Sequence, residues 1–240
     1  MRCFVVFLLA LLPAFPTAAE IKCSEDMEPI QRDAETRMST QDFIKDVMTN
    51  EEVFAKAFAN YGYKLEINLQ TLAGDTVDGE YRRTSTVDFD DKGQRRETVN
   101  EGPVNTLTRL RLGDRDIDRL REAFSLSAAK LADNDIVYSG RQEIGDIHSA
   151  VFDIVPRNQS ADIRGFEGRV WVRVRENAIM HVCGRTSSSP IAPMRFDVKR
   201  APVDEKYWFP ELIRADEDAR ISGDTVHVRM SVKYSDYKAR

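Results

Sequence analysis

Three histidines, His148, His181 and His227, are the chain's candidates for acid and base work, and none stands in a setting that supports it. A serine nucleophile on a strained elbow needs G-x-S-x-G, which does not occur. His181 and His227 sit inside strand-like stretches, where ordinary pleat positions account for them. No two histidines have a metal-binding spacing, and two thiols cannot close a structural zinc site by themselves. Asp88-Phe89-Asp90-Asp91-Lys92-Gly93 opens like a calcium loop, but the fifth position is Lys92 and the twelfth is Val99, where oxygen ligands are required. This stretch reads as a charged hairpin turn. The glycines are scattered and cradle no phosphate ahead of a helix. These residues predict no catalysis, no cofactor and no metal.

Two other groupings have surface chemistry to offer. Arg82-Arg83 and Arg95-Arg96 would come together if their strands pair, forming a small positive patch or simply a solvated edge that discourages foreign strands. Trp171 between Arg169 and Arg173 could stack on guanidinium groups and present a contact to an envelope protein.

The elements that must position these residues follow from periodicity. In Gly165 to Arg185, Val170, Val172 and Val174 alternate with Arg169, Trp171, Arg173 and Arg175, and the chain turns at Glu176-Asn177-Ala178. A hairpin this apolar on one side has to be covered. Upstream, Phe43, Val47, Val53, Phe54, Ala57 and Phe58 form the apolar stripe of one long helix or two short ones, starting near Ser39 or Thr40. Tyr63 to Gln70 switches to a period of two, and Tyr81 to Phe89 and Gln94 to Asn100 continue a meander that Gly102-Pro103 interrupts. Asp114 to Phe124 is helical, capped by Asp114, with Ile117, Leu120 and Phe124 on one face; a short helix at Ser127 to Leu131 follows. Ile136 to Gln142, Ile147 to Val155, Met194 to Arg200 and Thr225 to Tyr237 supply further strands. The sum is an α+β chain of about ten antiparallel strands forming one incomplete, strongly curved barrel with a helical lid.

Residues 1–19 have the form of a secretory signal: Arg2, then the apolar run Phe4 to Leu12, then Pro16-Thr17-Ala18-Ala19. Residues 20–38 read as a flexible leader, and 39–240 as a single domain. The expected compartment is the periplasm. Without the signal the net charge moves from −5 to about −6, which offers nothing to nucleic acid. Beyond that signal no apolar run reaches the roughly 20 residues a membrane-spanning helix needs. Cys23 and Cys183 survive cleavage; in an oxidising compartment they either bridge or stay as two free thiols. Asn158-Gln159-Ser160 is a formal sequon and reads as chance.

The segments FEGRVWV and IMHVCGR, then FDVKR, KYWFP and the closing VHVRMSVKYSDYK, together resemble the C-terminal half of outer-membrane lipoprotein-sorting-like proteins, in the superfamily of the periplasmic carriers LolA and LolB. That resemblance spans about Tyr61 to Lys238 and implies a hydrophobic cavity for acyl chains. It implies a non-enzymatic protein that carries or senses lipid or acylated protein, since the superfamily also contains stress-signalling regulators. Leu65, Ile67, Leu69, Val170, Val172, Phe196, Val228, Met230 and Val232 are the expected cavity residues, with Ile117, Leu120 and Phe124 on the lid. The alternative is an envelope interaction module with a packed, ligand-free core.

Overall fold

A computed structural model describes residues 30–31, 40–122, 126, 131, 134–157, 166–186, 195–221 and 223–240. The signal segment, most of the leader, Phe124, the sequon and nearly all of the short helix after Phe124 lie outside those residues. Helix α1 (Thr40–Phe58) is unbroken, so the apolar stripe belongs to one long helix rather than two short ones. The strands are β1 (Tyr61–Ala73), β2 (Thr76–Phe89), β3 (Arg95–Asn105), β4 (Asn134–Ile144), β5 (Ile147–Pro156), β6 (Phe166–Arg173), β7 (Ala178–Thr186), β8 (Arg195–Val203), β9 (Tyr207–Ile221) and β10 (Asp224–Ala239), with α2 (Asp114–Glu122) between β3 and β4.

All ten strands form one antiparallel sheet in the order β3-β2-β1-β10-β9-β8-β7-β6-β5-β4. Hairpins make every neighbour pair except β1 with β10. Because β3 and β4 are the two free edges, the link between them has to cross the whole sheet. It does so over one face, where Ile117, Leu120, Leu126 and Leu131 are buried. Topology thus forces a cover onto the sheet. At the start of α2 the Asp116 carboxylate accepts a hydrogen bond from the Gly113 amide at 3.0 Å, closing the first turn from the residue before Asp114.

The inner face is a row of aliphatic side chains in register. Ile67 stands opposite Val232, then Ile213, Val198, Val182, Val170 and Phe152 follow strand by strand. All are buried, and both helices pack against them. The motif glycines belong to the next row. Gly168 faces Gly184, and the Phe166 ring lies on both, so a Cβ at Gly184 would stand 2.4 Å from the ring. That close approach requires glycine at both positions.

Several expectations change here. Gly102-Pro103 does not interrupt the sheet; β3 runs through it, with register shifts near Thr84. Val174 leaves the aliphatic face, is exposed and belongs to the turn, because the hairpin reverses at 174–177 with Asn177 at φ 47°. Arg95 and Arg96 pair with Phe89 and Asp88, while Arg82 pairs with Val104. The four arginines therefore form no single patch.

The leader has a fixed point. Gln31 and Arg141 exchange two backbone hydrogen bonds of 2.8 and 2.9 Å, which covers part of the free edge of β4.

Candidate functional site

A cavity of about 520 Å³ opens where the C-terminal half of α1 stands over the sheet. Glu51, Phe54, Ala55 and Phe58 of α1 form one wall. Tyr63, Val87, Val198, Ile213 and Tyr234 form the floor, and Trp208, Phe209 and Pro210 close one end. Leu126 and Asp118 reach it from the α2 crossing, and Arg95, Arg96 and Glu97 from the start of β3.

Six of its lining residues are aromatic and six are charged. The Phe58 ring is 5.1 Å from Tyr63, stacked, and 5.3 Å from Phe209, edge-on. Phe54 meets Tyr207 edge-on at 6.0 Å. Behind them the Tyr237 hydroxyl donates to the Pro210 carbonyl at 2.6 Å, and burial pushes its phenol well up, so it remains a donor. A hydrogen bond from Tyr61 to Asp204 pushes that phenol up to about 12 and ties β1 to the β8–β9 turn.

The polar part is a buried ion pair. Glu51 on α1 receives both terminal nitrogens of Arg200 on β8, at 2.7 and 2.9 Å, and each side chain is only 7% exposed. Arg200 Nε has no partner. Sequence reasoning missed Glu51, although a signal was present. It stands four residues after Val47 and three before Phe54, on the apolar stripe, where a charge needs a buried counter-ion. Asn50 next to it donates to the Glu176 carbonyl at 2.9 Å, fastening α1 to the β6–β7 turn.

The nine residues expected to line a cavity all lie on the inner face and are buried, yet none of them lines this one. They form the packed part of the same face. Ile117 and Leu120 are buried beside them, and Phe124 falls outside the described residues. The wall over the cavity is α1 rather than the apolar stripe of α2. Val172 is 1% exposed, so a charge there would break the core.

The surface assigned to Trp171 is also revised. Trp171 does point away from the inner face, but it is 1% exposed. Its indole N–H donates to Gln142 Oε1 at 2.5 Å, its ring stacks on His181 at 4.4 Å, and Ile30 packs against the same cluster. Arg169 is engaged by Asp153 and Arg173 by Glu176. Trp171 is therefore covered, while Arg169 and Arg173 stay half-buried and ion-paired. His181 in turn meets Asp197. Cys183, on the same face, is disulfide-bonded, and its partner lies outside the described residues.

His148 and His227 are paired with carboxylates on the surface. Among the described residues no cluster of three or more His, Cys, Asp or Glu side chains could hold a metal ion. The Asp88–Gly93 stretch is a turn in which Asp90 Oδ1 accepts from the amides of Lys92 and Gln94. No helix among the described residues is long and apolar enough to cross a membrane.

No protein-family model matches the chain, and no curated protein does. Among solved structures it is similar to a LolA superfamily protein from Nitrosomonas europaea, at 14% identity over 85% of this chain and 94% of that one, with a TM-score of 0.40. A DUF1329 family protein from Desulfovibrio piger matches at 10% identity over 82% and 92%, TM-score 0.37. A putative outer membrane lipoprotein-sorting protein domain from Vibrio parahaemolyticus matches at 9% identity over 81% and 93%, TM-score 0.35.

Proposed function

We propose that this chain is an exported, non-enzymatic binding protein of the periplasm that holds a lipid, or an acylated protein by its acyl chain, between α1 and the curved sheet. The observation that supports this reading is the ring-lined cavity of about 520 Å³ at the C-terminal half of α1. That volume falls within the roughly 300–1,000 Å³ of sites that enclose one small ligand. The signal-like form of residues 1–19 supports export, and the motif resemblance supports an acyl guest. The bridge Cys23–Cys183 goes with the same reading, as a staple between the leader and β7.

Ala55 lines the cavity and is otherwise exposed, so a large side chain fits there without disturbing the core. Ala55→Trp should fill the space and abolish saturable uptake of a fluorescent acyl probe while thermal stability stays within about 0.5 kcal/mol. Saturable uptake unchanged in Ala55→Trp, or absent from the unaltered chain, would overturn the reading.

A further inference from the structure

Three arginines and three carboxylates line the cavity, but they are not all paired with one another. Arg96 is paired with Asp90 at 2.7 Å, Glu97 with Arg83, and Glu51 with Arg200, while Asp118 is engaged as well. Two donors are left over. Among the described residues the Arg95 side chain hydrogen-bonds only the Tyr63 hydroxyl, and its guanidinium lies 5.1 Å from the Tyr63 ring centre and 5.5 Å from that of Phe58. Among the described residues no carboxylate comes within ion-pair distance of it. Arg200 keeps a buried Nε–H without a partner, and of the partnerless buried side-chain atoms among the described residues it is the one on a residue lining the cavity.

An unpaired donor nine-tenths buried costs free energy unless something occupies it. A guanidinium resting against two stacked rings is already oriented, so it gives up little freedom on taking a further bond. Neither leftover is an acceptor, so the missing group is one that accepts hydrogen bonds and bears negative charge.

Resting on the reading of the cavity as an acyl site, we propose that its guest is a single-chain amphiphile with an anionic head. The chain lies along Phe54, Phe58 and Ile213, the head faces Arg95, and the Arg200 Nε–H, which lies beneath the cavity surface, is taken once the side chains over it shift. Glu51 already neutralises the Arg200 charge, so the net attraction for the anion comes from Arg95 and the hydrogen bond from Arg200. The volume admits one chain.

The test is displacement of a fluorescent acyl probe by a long-chain fatty acid, its methyl ester and the alkyl phosphate of equal length. The acid and the phosphate should each bind about tenfold more tightly than the ester, the worth of one charge-assisted hydrogen bond. Arg95→Gln should remove most of that preference, read as the ratio of acid to ester affinity within the same variant. Arg200→Lys keeps a cation beside Glu51 but deletes the Nε donor, and should remove the remainder. Equal binding of acid, phosphate and ester by the unaltered chain would overturn the anionic head while leaving the acyl cavity standing. Failure of every probe, neutral or anionic, would overturn both.

Discussion

The two halves of α1 meet the same sheet in opposite ways. At the N-terminal half, Phe43 stacks on Phe152 at 5.3 Å, and Phe43 and Val47 close down onto the aliphatic rows beside Ile117 and Leu120. At the C-terminal half, Phe54 and Phe58 meet other rings at centroid distances of 5 to 6 Å, and a cavity remains. Branched aliphatic side chains from a curved sheet interdigitate to crystalline density. Rings braced edge to face against one another cannot fold into the space between them. The buried Glu51–Arg200 pair sits at that second half and spaces helix from strand, since two hydrogen-bonded ions occupy a fixed length.

This contrast can be broken at its packed end with the largest effect. Phe152→Ala should cost about 3–5 kcal/mol by removing a ring from a site with no room to relax, measured by chemical denaturation, while the folded fraction still takes up acyl probe. A similar loss from Phe58→Ala would erase the distinction between the halves. Next in size, Arg200→Met alone should cost about 3–5 kcal/mol because Glu51 is left as a buried, unpaired charge, and adding Glu51→Met should restore most of it. A double variant no better than the single would show that the pair holds the helix by more than its charges.

On the opposite face, Gln142→Ala leaves the buried Trp171 indole N–H without an acceptor, at about 1–3 kcal/mol. Its tryptophan emission should shift as well, and an unmoved spectrum would place the indole in another environment. The smallest effect is expected at His227, whose ring bonds to Asp218 and Asp216 hold it above the ordinary value of 6.5. Its folded pKa is raised, so its contribution is complete below the unfolded value and disappears as pH climbs through the folded one. Exposure keeps that contribution under about 1 kcal/mol. A titration by NMR in which His227 stays at or below 6.5 would remove it.

Much of this was legible in the chain because period two and period 3.6 are local properties. The alternation of Val226, Val228, Met230, Val232 and Tyr234 emerges intact as the buried side of β10. Alternation also placed Trp171 opposite Val170 correctly. It could not tell that the outer side is covered there, because the cover includes Ile30, far away in sequence. Glu51 was visible as a charge on an apolar stripe, but nothing local named Arg200 as its partner across 149 residues.

The sequence by itself determined about ten antiparallel strands, one greasy side to the sheet and an amphipathic helix to lie on it, because hydrophobic period and turn chemistry act between near neighbours. Tertiary structure alone decided where that side is packed and where it is hollow. Filling is a matter of shape between distant side chains, and shape complementarity leaves no period in a sequence.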